Sequence, residues 1–136
     1  MTAPTVLPHR DAMKAALEGA GLVVGLGGAP PTAPPSGTQT KYVALYFSPG
    51  QSVTESLADE RTDFTCAFQV TCVGPTEEQC LWVADKVRGA LSPRLTVAGR
   101  SAWRAEELGG PPVQRDDDVS PPLYFLPVQY ALKSTS

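Results

Sequence analysis

Phe64-Thr-Cys-Ala-Phe-Gln-Val-Thr-Cys-Val73 sets apolar side chains at the even positions Phe64, Cys66, Phe68, Val70 and Cys72. Thr65, Gln69 and Thr71 hold the odd positions, with Ala67 neutral. A period of two over this length describes a strand with one face buried and the other open. Gly74-Pro75 ends it, because proline cannot donate to a ladder and glycine frees the backbone. Thr76-Glu-Glu-Gln79 then has the pattern of a capping box, with two acidic residues where a helix dipole favours them. Beyond it Cys80, Val83, Ala84, Val87 and Leu91 recur at helical spacing. The strand and the helix are expected to bury these faces against each other.

Composition limits the possibilities. The 136 residues suit one domain, and 42% hydrophobic content suits a globular one. No apolar run approaches the roughly 18 residues of a membrane span. Met1 to Leu7 lacks a basic region and an apolar core, so no signal peptide is expected. A net charge of -3 and a pI near 5.0 argue against binding nucleic acid by neutralising phosphates. Three cysteines without an export signal are expected to be reduced. Cys66 and Cys72 share a face about 20 Å apart along their strand, whereas Cys80 is placed to approach Cys72. Small buried hydrophobes are the favoured reading of all three.

Working outward, His9 to Ala20 reads as a first helix with a narrow stripe of Ala12, Met13, Ala16, Leu17 and Ala20, stopped at Gly19–Gly21. Leu22–Gly28 is apolar and glycine-rich, but it follows a helix, so a short strand or turn is favoured over a phosphate loop. Residues 29–40 are proline-rich and are expected to form a surface connection. Lys41–Phe47 is a second strand, and Ser48-Pro-Gly50 is expected to turn the chain. Gln51 to Asp63 is polar, a long loop or an extended hairpin tip. Arg94–Val97 and Ser101–Leu108 suggest two further strands. Leu123–Lys133 closes the chain with Tyr124, Leu126, Val128, Tyr130 and Leu132 inward, and Pro127 calls for an edge or a bulge. The expected fold is α+β: one twisted, mainly antiparallel or mixed sheet of about four to five strands, with two helices on one face.

Chemistry is sparse. The single histidine, His9, is expected at an exposed helix start, away from the cysteines, which disfavours a Ser–His or Cys–His nucleophile. Asp116-Asp117-Asp118 lacks the spacing of a calcium loop, and a solvated or interface turn is favoured over a metal site. No catalytic, metal or cofactor site is assigned. Arg88, Arg94, Arg100 and Arg104 are scattered as ordinary surface. Trp82 falls roughly 200° from the Cys80 stripe, beside Asp85, Lys86 and Gly89. Either a loop partly covers it or it anchors a protein interface.

Four places resemble the tail terminator (tail completion) proteins of long-tailed, non-contractile bacteriophages. They are the helix ending Ala-Gly-Leu22, the strand into Val73-Gly-Pro-Thr-Glu-Glu-Gln79, the helix Leu81–Arg88, and Pro112-Val-Gln-Arg-Asp-Asp-Asp-Val-Ser-Pro-Pro122 with its closing strand. The proline-rich segment 29–40 has no counterpart in this resemblance. The likeness implies a non-enzymatic virion assembly protein without a cofactor, made in the bacterial cytoplasm. Its homo-oligomeric, hexameric ring would cap the head-proximal end of the tail tube. Its implied partners are further copies of itself, the tail tube protein and a head-side connector or stopper protein. Neither a membrane nor specific nucleic-acid recognition is implied, although DNA would pass through such a ring. On this reading Trp82, Asp85, Lys86 and Gly89 form the subunit interface. Glu55, Asp59, Glu60 and Arg61, with Arg115, Asp116, Asp117 and Asp118, lie in loops that meet the tube or the head side. Two alternatives stand beside it: another head–tail joining protein of the neck, and a small monomeric or dimeric α+β binding domain or enzyme.

Overall fold

Two strands of 13 residues, β4 (Thr62–Gly74) and β9 (Leu123–Thr135), pair antiparallel along almost their whole length and form the spine of the molecule. A computed structural model describes residues 4–28, 41–54, 62–118 and 122–135. Around the spine stand α1 (Leu7–Gly19), β1 (Val24–Leu26), β2 (Tyr42–Phe47), β3 (Gln51–Thr54), α2 (Glu77–Leu91), β5 (Thr96–Val97), β6 (Arg100–Ala102), β7 (Glu106–Gly109) and β8 (Gln114–Asp116).

The class is α+β, and the described residues form two helices and one mixed sheet, but the sheet has nine strands rather than four to five. The difference has a simple origin. β2 and β3 lie in tandem along one side of β4, while β6, β7 and β8 lie in tandem along the outer side of β9. Strands of two to four residues are too short to display a period of two, so the sequence shows only the long ones. The stretch Ser101–Leu108, read as one strand, divides into parts of β6 and β7 with an irregular turn at Trp103. β1 joins β2 in parallel; the other pairs are antiparallel.

Ser48-Pro-Gly50 does not reverse the chain. Phe47 pairs with Phe68 and Gln51 with Thr65, so this side carries one extra residue and the segment is a bulge. Ser48 keeps the ladder closed through its N–H to the Ala67 carbonyl (3.0 Å), while its hydroxyl accepts the Ala67 N–H (3.2 Å). Gly50, at φ +79°, takes the left-handed conformation and lies against the Phe64 ring, where a side chain has no room. Of the segment Gln51 to Asp63, expected as a loop or an extended hairpin tip, β3 and the start of β4 pair antiparallel as hairpin arms, and residues 55–61 lie outside the described residues.

Pro127 sits within the spine. The Pro127 carbonyl faces Gly110, in the gap between β7 and β8. A strand residue points its N and O to the same side, so the missing N–H also faces that gap and the β4 ladder loses nothing.

The helices cover the even face. Thr76 caps α2 by accepting the Gln79 N–H at 3.1 Å, and Cys80, Val83, Ala84, Val87 and Leu91 are buried beneath it. Gly74 lets the strand end touch the helix start: a Cβ there would lie 2.7 Å from the Cys80 nitrogen. In α1, Met13 and Leu17 are buried, and Pro8 stands in the first turn, where its missing donor costs no helical bond. Gly21 (φ +87°) ends α1 with Gly21 N–H to Glu18 O at 3.0 Å and Leu22 N–H to Leu17 O at 3.2 Å. This pair of bonds, with Leu22 packed in the same core as Leu17, is a Schellman stop. Across the sheet, Phe47, Phe68 and Tyr130 stack from β2 to β4 to β9 at 4.7 and 5.6 Å.

Candidate functional site

The outer face of α2 is open to solvent. Trp82 is 47% exposed, Asp85 and Lys86 are exposed, and a Cβ on Gly89 would meet nothing within 4 Å. The two-residue offset of Trp82 from the buried stripe forces this, because the stripe is already committed to β4 and β9. Two lysines approach the ring: Lys41 Nζ lies 4.8 Å and Lys86 Nζ 5.2 Å from a ring centroid. Such contacts add about 0.5–1 kcal/mol each at exposed sites. Lys41 comes from the segment leading into β2, and no sequence signal links it to Trp82.

Asp85 turns towards Arg88, whose guanidinium lies 2.8 Å from it and makes a two-pronged contact with Glu107 of β7, both bonds 2.9 Å. Arg88 is therefore a tie between helix and sheet rather than idle surface. Hydrogen bonding to Arg88 holds the Glu107 carboxyl below its ordinary range.

The acidic segment follows β8. Arg115 and Asp117 form an ion pair at 2.7 Å, and Asp116 Oδ1 accepts the Asp118 N–H at 3.0 Å. Asp116 is half-buried at the rim of a cleft of about 160 Å³ that also holds Tyr42, Thr71 and Phe125. Burial, the neighbouring Tyr46 and the Asp116 charge push the Tyr42 hydroxyl upward. Glu55, Asp59, Glu60 and Arg61 lie outside the described residues. β3 pairs at the Thr62 end of β4, whereas the acidic segment adjoins the Gly74 end. Thirteen residues at about 3.3 Å each separate the two ends by roughly 40 Å along the strand. β3 and the acidic segment thus stand at opposite ends of the subunit.

His9 is fully buried, not exposed. Helix α1 begins at Leu7, and the His9 ring packs 4.6 Å from that of Phe64. Nδ1 donates to the Thr5 carbonyl at 2.8 Å, so the neutral ring accepts at Nε2 from the Ser134 hydroxyl at 2.6 Å. Arg100 Nε donates to the same hydroxyl at 2.9 Å. A serine and a histidine in contact invite comparison with a nucleophile pair. Here the imidazole is held by a carbonyl instead of a carboxylate, and Ser134 is 1% exposed. The cluster joins α1, β6 and β9.

Cys66, Cys72 and Cys80 are free and buried. Burial pushes their thiols up to about 11, 12 and 11. Cys80 Sγ donates to the Cys72 carbonyl at 3.3 Å. Among the described residues, no group of three or more His, Cys, Asp or Glu side chains converges on a metal position.

Sequence reasoning places Trp103 on the Ser101–Leu108 strand and gives it no role. It is 48% exposed and stands beside a cavity of about 540 Å³ lined by Asp63, Thr65, Glu106 and Lys133 among others. Its N–H donates to the Lys133 carbonyl at 2.9 Å, tying the irregular turn to β9.

Similarity to known proteins lies in the fold. No protein-family model matches the sequence, and no curated protein matches it. Among solved structures, the chain is similar to one from the virion of a native gene transfer agent particle. The TM-score is 0.62 at 14% identity, over 93% of this chain and 94% of that one. A second solved chain, without a functional description, has a TM-score of 0.53 at 18% identity, over 92% and 94%. At these identities the likeness establishes a shared fold spanning nearly the whole of each chain.

Proposed function

We propose that this chain is a structural subunit of a phage-type virion, acting as a tail terminator. Its copies close into a ring, hexameric in the resembling family, at the head-proximal end of the tail tube. The ring stops tube growth and offers the surface that the head-side connector joins. Subunits are made in the bacterial cytoplasm and end in the virion.

The observation that carries this reading is the fold shared, over nearly its full length, with a chain of a gene transfer agent virion. The geometry is compatible with the role. A subunit between tube and head needs separate contacts at two ends, and the short strands β3 and β8 stand at opposite ends of the spine. A closed ring also needs lateral faces, and the Trp82 face of α2 is free.

The test is assembly. Purified protein should show, by light scattering, a mass several times 14.4 kDa, with rings in negative stain that bind one end of purified tail tubes. A monomer or dimer at all concentrations that ignores tubes overturns the proposal. Rings that bind heads but not tubes would make it a joining protein of the neck.

A further inference from the structure

We propose that the Trp82 patch seats the Asp117–Asp118 turn of a second copy of this chain, a contact that rests on the ring reading above. The patch is cationic and aromatic together. Lys41 and Lys86 both lie within 5.2 Å of a Trp82 ring centroid, and neither has a carboxylate partner among the described residues. Asp85, next to Lys86 in the chain, is engaged by Arg88. An exposed tryptophan flanked by two ammonium groups suits a partner that brings carboxylates and can be partly desolvated against the ring.

The chain carries that partner itself. Arg115–Asp118 has three carboxylates against one guanidinium. Asp116 is turned to the cleft of its own subunit, which leaves Asp117 and Asp118 as the exposed pair, Asp117 also pairing with Arg115 at 2.7 Å. Asp118 has no ion-pair partner among the described residues.

The topology sets both surfaces at one level. Lys41 leads into Tyr42, which pairs with Val73; Asp116 pairs with Leu123, one residue beyond the Gly74–Tyr124 pair. Both therefore stand at the Gly74 end of the spine. Laterally their strands are apart, β2 flanking β4 and β8 flanking the far side of β9, although Asp116 itself reaches the cleft that holds Tyr42. Two complementary surfaces, different in kind and on opposite flanks, are what a head-to-tail contact requires. Because they share one level, neighbours meet without a shift along the strands, as a closed ring needs.

Charge reversal in the full chain tests the contact. Lys41→Glu with Lys86→Glu makes both surfaces acidic, and Asp117→Lys with Asp118→Lys makes both basic. Each double variant alone should need roughly tenfold or more concentration to assemble, because like charges then face each other. Mixed in equal amounts, they should recover assembly as an alternating oligomer, since every contact is again complementary. Assembly of the unaltered protein should also weaken between low and high salt. Unaltered assembly of both variants, or no recovery on mixing while each remains folded by circular dichroism, overturns this contact and leaves the ring reading in place. If a variant fails to fold, the salt series on the unaltered protein decides: assembly indifferent to salt overturns the contact. An unaltered protein that stays monomeric overturns both the contact and the ring.

Discussion

His9 Nε2 lies 2.6 Å from Ser134 Oγ, and this hydrogen bond ties the first helix to the end of the last strand, 125 residues away. Burial holds the His9 pKa below its ordinary 6.5; the Thr5 carbonyl opposes this and the Arg100 charge reinforces it. The folded state therefore favours the neutral ring. Its contribution to stability is present above the unfolded pKa and is lost as pH falls below 6.5 towards the lowered folded value. Urea midpoints should drop between pH 7 and about 5.5, and His9→Gln should flatten that drop. A profile identical in both proteins would remove His9 from the account.

Ser134→Ala removes the hydroxyl that serves His9 and Arg100 together. Leaving buried polar groups without a partner costs about 1–3 kcal/mol. Chemical denaturation should show that loss with an unchanged slope. No loss would mean that water enters the cluster and replaces the hydroxyl.

The three thiols should resist modification in the folded protein. At neutral pH, groups pushed up to about 11 or 12 hold almost no thiolate, and all three are shielded. A thiol reagent should label them only on unfolding, with three equivalents taken up in denaturant. Rapid labelling of two or more in native buffer would contradict the packing of α2 on β4.

Trp82→Ala separates fold from assembly. The ring is half outside the core, so circular dichroism and the denaturation midpoint should change little. An anchoring tryptophan in a desolvated interface contributes about 2 kcal/mol or more, so the oligomer should weaken by more than tenfold in light scattering. Unfolding would make Trp82 part of the core, and normal assembly would put the interface elsewhere.

Gly74→Ala should destabilise the junction of strand and helix. Its Cβ would fall 2.7 Å from the Cys80 nitrogen and 3.0 Å from its Cα, both backbone atoms that cannot swing aside. Overpacking of this kind costs about 1–3 kcal/mol, read as a lower melting temperature. The neighbouring control Gly89→Ala, in open space on a helix, should be neutral or stabilising by up to about 1 kcal/mol.

What the sequence by itself determined is whatever neighbouring residues decide among themselves. The alternation in Phe64–Val73, the Thr76 cap, the stripe of α2 and the Gly21 stop each depend on contacts within a few positions. All four formed as read, with the thiols buried as a consequence. The exposure of Trp82 followed from helical geometry alone. Tertiary structure decided the rest. Short strands β6 to β8 exist because the long strand β9 offers them a ladder, β5 adds to β6, and Pro49-Gly50 became a bulge because β4 runs on beside it. His9 is buried because Phe64 and Ser134 close over it, and Lys41 meets Trp82 because β2 pairs beside β4 beneath the helix. In each of these, the deciding partner is distant in the chain. Its position is set by sheet register and helix docking, which no local pattern encodes.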